Sequence, residues 1–227
     1  MKRVLPVILL VLVADQALKL WVKLSFYYDS AVPLFGDWGY LHFIENRGMA
    51  FGMEFGGVWG KLLLTLFRIA AVAGIGWYLL KLVKRNVGLG LLISVALIFS
   101  GALGNIIDST FYGLIFSEST PFQKAVLFPA EGGYAPLFHG AVVDMFYFPI
   151  WEGRLPEWLP VWGGEHTVFF RPVFNVADAA ITVGVALFIL VQRNSNRKQL
   201  VDGPSETPTA MTPEPEAPMV PSETPPA

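Results

Sequence analysis

Cysteine is absent from this 227-residue chain. That excludes disulfides, a thiolate nucleophile and any cysteine-ligated metal. Charge is scarce as well: Asp, Glu, Lys and Arg make up 15% of residues against 54% hydrophobic, where a soluble domain carries about a quarter charged. This is membrane composition. The three histidines, His42, His139 and His166, are scattered, with no HExxH element or other ligand spacing, so neither a metal nor another cofactor is expected. No Gly-x-Ser-x-Gly element supplies a serine nucleophile. A net charge of −2 argues against nucleic acid as a partner, although this average hides an acidic tail and basic membrane loops.

What is present is a set of long apolar runs. Four of them, over residues 4–24, 62–83, 87–107 and 173–191, approach the roughly 20 residues that cross a bilayer as a helix. The first is interrupted by Asp15, Gln16, Lys19 and Lys23, and the second by Arg68. The link Lys84-Arg85-Asn86 is short enough to make the middle two a helical hairpin. Lys2, Arg3, Lys81, Lys84, Arg85, Arg193, Arg197 and Lys198 all fall on one side, which the positive-inside rule makes cytoplasmic. The expected fold is an all-α integral membrane bundle of four transmembrane helices with both termini cytoplasmic. The first run begins like a signal peptide but continues into Asp-Gln-Ala-Leu-Lys-Leu-Trp instead of a small-residue cleavage site, and reads as an uncleaved spanning helix.

Residues 1–195 form the expected membrane-embedded domain. Residues 196–227, rich in Pro, Glu and Thr, bury too little apolar surface to offset their ordering entropy and are expected to be a disordered cytoplasmic tail. Facing outward are two long stretches, 25–61 and 108–172. Within the first, residues 39–55 alternate aromatics and glycine around the turn signal Asn46-Arg47-Gly48, which predicts a small antiparallel sheet. The Trp-, Tyr- and Pro-rich loops over 117–140 and 151–172 suit the headgroup interface.

The polar residues inside or beside apolar segments need a reason, since intramembrane charge is costly and marks pairing or chemistry. Asp15 and Lys19 are i,i+4 on one helix face and serve either as a buried salt bridge or as part of a substrate site. Arg68 is open in the same way, to a part in a substrate site or to a structural or lipid-contact role, of which the latter is favoured. Asn105 and Asp108 are i,i+3 at the end of the third run, and Asn175 and Asp178 repeat the spacing at the start of the fourth. A carboxylate at a helix N-terminus is stabilised by about 0.3–1 kcal/mol, which accounts for Asp178 alone. Asp144, in Val-Val-Asp-Met-Phe, stands at the border of an apolar stretch without that explanation.

Taken in order, Asp15-Gln16-x-x-Lys19, Glu45-Asn46-Arg47-Gly48-Met49-Ala50-Phe51-Gly52, Gly101-Ala102-Leu103-Gly104-Asn105-x-x-Asp108, Val142-Val143-Asp144 and Phe174-Asn175-x-Ala177-Asp178 resemble the lipoprotein signal peptidase (signal peptidase II) family of bacterial inner-membrane aspartyl proteases. The resemblance covers about residues 1–195. It implies cleavage of signal peptides from diacylglyceryl-modified prolipoproteins before the lipidated cysteine, with a site at the outer membrane face and membrane lipids as further partners. It also implies a catalytic pair at Asp144 and Asp178, with Asn46, Asn105, Asp108, Asn175, Asp15 and Lys19 as substrate-binding or supporting residues. Two departures stand out. Ser109 follows Asp108 where the family usually has Arg, and the 114–141 and 151–172 loops are long.

Elementary electrostatics favours the same chemistry. Two carboxylates about 3 Å apart share one proton, so one acts as base and the other as acid; which is which is left open because the pair titrates as a unit. The alternative is a small transporter using intramembrane acidic residues. It predicts polar groups spread through the helices, whereas Asp108, Asp144, Asn175 and Asp178 collect at one end.

Overall fold

The computed structural model describes residues 2–36, 38–48, 57–158, 160–169 and 172–202. Its elements are α1 (Leu5–Ser25), β1 (Ala31–Pro33), β2 (Tyr40–Asn46), α2 (Gly57–Lys84), α3 (Leu89–Ile107), a π-helical turn (Asp108–Tyr112), α4 (Gly113–Ile115), β3 (Val142–Tyr147), β4 (Trp151–Arg154), β5 (His166–Phe169), β6 (Val173–Phe174) and α5 (Val176–Asp202). One compact unit covers residues 1–191, and a second begins at Gln192.

Among the described residues, four segments are long and apolar enough to cross a membrane: Leu5–Ser25, Trp59–Lys84, Leu89–Ile115 and Val176–Asn194. Helix α1 starts with Pro6 in its first turn, where the missing N–H costs no hydrogen bond. Large apolar side chains such as Leu10, Trp59, Leu63 and Trp77 point outward, as lipid-facing surface requires. At one end, Val4 and Ile8 of α1 pack with Leu79 and Leu82 of α2, Leu92 and Val95 of α3, and Phe188 of α5. These residues lie early in α1 and α3, late in α2 and at the middle of α5, so α1 and α3 run one way and α2 the other.

Lipid tails are as apolar as leucine, so helices associate through close packing instead of a hydrophobic driving force. Glycines on α3 provide that closeness. A Cβ on Gly101 would overlap the Ala177 carbonyl oxygen, and one on Gly104 would stand 2.6 Å from Asp15 Oδ2.

The opposite end is closed by an antiparallel sheet of order β1-β2-β3-β6. Val22 of α1, Leu41 and Phe43 of β2, Tyr112, Phe116, and Val143 and Met145 of β3 form one buried cluster beneath it. Here water is the competitor, and each fully buried side chain of this size contributes about 1.5–3 kcal/mol. A separate hairpin pairs β4 with β5, within the stretch expected to be an interfacial loop.

Several expectations need adjusting. The sheet does exist, but β2 pairs with β1 and with the distant β3 rather than turning back on itself at Asn46; part of the expected region, 49–56, lies outside the described residues. Asp144 does not border a spanning segment. It sits within β3, and its apolar neighbours are apolar because they fill the sheet core. Helix α2 begins at Gly57 instead of residue 62. Helix α5 begins at Val176 because Val173 and Phe174 are taken up by pairing with β3, and it runs on to Asp202. The remainder of the expected tail, 203–227, lies outside the described residues.

Candidate active site

The sheet and the helix ends meet around a cavity of about 320 Å³, at the lower end of the range for small-ligand pockets. Asp144 from β3 and Asp178 from the first turn of α5 both line it, as do Asn46, Gly48, Arg68 and Asn105. The rest of the wall is apolar, from Phe67, Val72 and Ile75 of α2 to Ile106 and Ile181. Asp15, Lys19, Asp108 and Asn175 do not line the cavity. They lie behind it and fix the groups that do.

Local sequence logic explains how Asp178 is held. Asn175 precedes the first residue of α5. Its Oδ1 accepts the Asp178 N–H at 2.9 Å, and Asp178 Oδ2 accepts the Asn175 N–H at 3.3 Å. This is a capping box, two otherwise orphaned helix N–H groups satisfied reciprocally. The Asn175 amide then donates to Asp144 Oδ1 at 2.6 Å, to the Val143 carbonyl at 3.2 Å and to Asn105 Oδ1 at 3.2 Å. Asn105 in turn donates to Asp178 Oδ1 at 2.8 Å. One asparagine therefore touches both aspartates, and a second closes the loop.

Beneath this layer Lys19 Nζ is 2.8 Å from Asp15 Oδ2 and 2.8 Å from Asp108 Oδ2, with all three side chains fully buried. It also donates to Asn105 Oδ1 at 2.9 Å, which aims that amide at Asp178. Gln16 bonds Asp108 Oδ1 at 2.9 Å and Asp15 Oδ2 at 3.1 Å. The two carboxylates also reach the backbone: Asp108 Oδ2 accepts the Val143 N–H as well, and Asp15 Oδ1 accepts the Ala177 N–H. Those two residues flank the aspartates in sequence. The buried charges thus hold β3 and the start of α5 against α1 and α3. The π-helical turn, a form frequent at functional sites, buries Asp108, Ser109, Thr110 and Tyr112 together. Ser109 Oγ has no hydrogen-bond partner among the described residues.

Burial, followed by the neighbouring charge of Asp178, pushes the Asp144 carboxyl up to about 7; the Asn175 hydrogen bond and the Lys19 charge oppose that rise. A carboxyl poised near neutrality in a cavity, beside a second carboxylate, is suited to general acid–base chemistry.

Sequence reasoning missed two features. Lys23 is completely buried and pairs with Glu45, donates to Ser119 Oγ at 3.0 Å and lies over the Phe116 and Tyr134 rings. It ties α1 to β2 below the sheet, and Lys23 as the third charge on the Asp15–Lys19 helix was the available signal. Arg68, read as structural or lipid-facing, instead faces into the cavity; its i,i+7 relation to Lys61 was the signal that could have placed the two on one face.

The chain is similar to known proteins over most of its length. The model of the signal peptidase (SPase) II family matches residues 7–193. A lipoprotein signal peptidase of Porphyromonas gingivalis (strain ATCC 33277) is 49% identical over 212 residues, 93% of this chain and 91% of the relative. One from Amoebophilus asiaticus (strain 5a2) is 43% identical over 190 residues, 82% and 76% of the two chains. In three dimensions the chain is similar to a bacterial membrane enzyme solved by the in meso method at 2.3 Å, with a TM-score of 0.55 and 18% identity over 91% of this chain and 94% of that one. That likeness concerns the fold alone.

Proposed function

The chain belongs to the signal peptidase II family, and from that membership and its cavity we propose that it is a membrane aspartic endopeptidase that removes signal peptides from diacylglyceryl-modified prolipoproteins. One observation carries the reading. Asp144 and Asp178, brought from separate elements, line one cavity and share a single asparagine.

The two aspartates take different roles. Asp144, pushed up to about 7, holds the proton the pair shares. Asp178 accepts hydrogen bonds from the Asn105 amide and the Asn175 N–H, which leaves it as the base. It draws a proton from water, whose oxygen attacks the scissile carbonyl carbon. Asp144 donates to the carbonyl oxygen as it gains charge. Collapse of the tetrahedral intermediate breaks the C–N bond, with the amine taking a proton from the pair. The lipidated cysteine leaves as a new N-terminus and the signal peptide as a carboxylate.

The remaining assignments follow the chemistry. Basic residues at the ends of the spans away from the sheet place those ends in the cytoplasm, so the dyad faces outward in the inner membrane of a bacterium. A diacylglyceryl group in the outer leaflet contributes about 0.8 kcal/mol per buried methylene, enough to seat the scissile bond at the sheet end of the bundle. The aromatic loops 117–140 and 151–172 rest at the headgroup level.

The test is cleavage of a diacylglyceryl-modified prolipoprotein by the purified protein. Asp144→Asn and Asp178→Asn each abolish cleavage while the protein still inserts and folds. Cleavage retained in either variant removes the dyad assignment.

A further inference from the structure

Two cations on α2 are not used by the chemistry above. Lys61 and Arg68 are i,i+7 and share a helix face. Both approach Gly48, where a Cβ would come 3.5 Å from Lys61 Nζ and 3.6 Å from Arg68 Nη1. Gly48 has φ +88°, a left-handed conformation that glycine adopts freely, and its N–H is turned back onto Asn46 Oδ1 at 2.8 Å. Gly48 and Arg68 line the same cavity as Asp144 and Asp178.

The ammonium of Lys61 is buried and has no hydrogen-bond partner among the described residues. Its charged surroundings are Arg68 and Arg47, both of like sign. Arg47 is satisfied elsewhere, 3.5 Å from Glu118. Arg68 forms no hydrogen bond or ion pair with a described residue, and among these residues its charge is drawn toward Asp178, which lines the same cavity. A buried cation without a partner is costly, and two on one face make a site for an anion.

We infer that Lys61 and Arg68 form a carboxylate subsite that receives the new C-terminus of the cleaved signal peptide. This rests on the reading of the chain as a prolipoprotein endopeptidase. The substrate has no charge at its scissile amide. Hydrolysis adds water across the C–N bond, and the acyl carbon becomes a carboxylate facing the dyad. That anion repels Asp178 and is attracted to the two cations on the facing helix. The carboxylate is thereby moved off the aspartates, which are free to share a proton again. The same subsite makes the released peptide a product inhibitor that is recognised through its terminus.

The probe is a synthetic signal peptide ending at the residue before the cysteine, prepared as the free acid and as the C-terminal amide. Inhibition of prolipoprotein cleavage is measured for both, and direct binding of both is measured on the Asp144→Asn protein. The free acid is expected to bind about tenfold more tightly than the amide, as a charge-assisted contact implies. That ratio falls toward one in Arg68→Gln and Lys61→Gln and is kept in Arg68→Lys, which preserves the charge. Equal binding of acid and amide by the parent protein overturns the subsite, as does an unchanged ratio in both glutamine variants. Binding that ignores the terminus but weakens when phosphatidylglycerol replaces phosphatidylcholine assigns the cations to lipid headgroups and overturns it too. Failure of the parent protein to cleave prolipoprotein at all would strike the underlying reading instead, and the binding ratio separates the two.

Discussion

Asn175 donates to Asp144 Oδ1 at 2.6 Å while its own Oδ1 caps the Asp178 N–H at 2.9 Å. A single side chain therefore sets the geometry of both aspartates and starts the helix that carries one of them.

These two roles are separable. Asn175→Ser keeps a capping oxygen, so thermal unfolding in detergent shifts little, yet it loses the amide that reaches Asp144. Losing a hydrogen bond to a neutral carboxyl costs about 0.5–1.5 kcal/mol, roughly a 2- to 13-fold drop in kcat at 1.36 kcal/mol per decade. Asn175→Ala loses the cap as well, a further cost of about 1 kcal/mol in stability. Parallel measurements of kcat and Tm on the two variants check this. Equal losses of Tm would mean that the cap is not Asn175's own.

Cleavage depends on pH through Asp144. Its carboxyl is raised from 3.8 to about 7 by burial and by Asp178, so the acid is present below pH 7 and is lost as pH rises through that value. The kcat profile accordingly falls on the alkaline side with a midpoint near 7. Stability follows the same proton. The folded state binds it more tightly than the unfolded chain, so this contribution is full below pH 3.8 and declines as pH rises to about 7. Asp144→Asn carries no such penalty. Its Tm advantage over the parent grows between about pH 4 and 7 and then levels off, and an advantage that shrinks over that range would contradict the shift.

Lys19 is the cation between Asp15 and Asp108, all fully buried. Lys19→Met leaves two carboxylates facing each other without a counter-ion, a change that typically costs about 3–5 kcal/mol. A large fall in Tm or in folded yield is expected. Adding Asp108→Asn to Lys19→Met removes one of the stranded charges and recovers part of the loss. If the double variant is no more stable than Lys19→Met, the triad is not the source of the effect.

The Pro-, Glu- and Thr-rich tail is proposed to take no part in the reaction, since every residue of the site lies between Asp15 and Ile181. Truncation after Lys198 should leave the rate of prolipoprotein cleavage unchanged. A large drop in kcat/KM would show that the tail reaches the site.

The spans and the i,i+3 spacing of Asn175 and Asp178 were legible in the chain because both are local. A run of about 20 apolar residues is itself the criterion for crossing a bilayer, and Asn175-x-x-Asp178 closes its hydrogen bonds within one turn. The Asp15–Lys19 pair is similarly contained in one helix. Asp144 was different. A short apolar run reads equally as the edge of a helix or as a buried strand, and only pairing with β2 and β6 decided it. The partners of the local pairs were also beyond reach: Asp15 bonds the N–H of Ala177, 162 residues away, and Asn175 reaches Asp144 from 31 residues away. So did the facing of Arg68 and Lys61 toward Gly48, which depends on how α2 is rotated in the bundle. By itself the sequence determined the membrane spans and the Asn175–Asp178 spacing, since each rests on residues within one segment, and its family resemblance pointed to the two aspartates. The tertiary structure decided which carboxylate is raised and what stands opposite the pair, because burial and charge proximity are properties of contacts between distant segments.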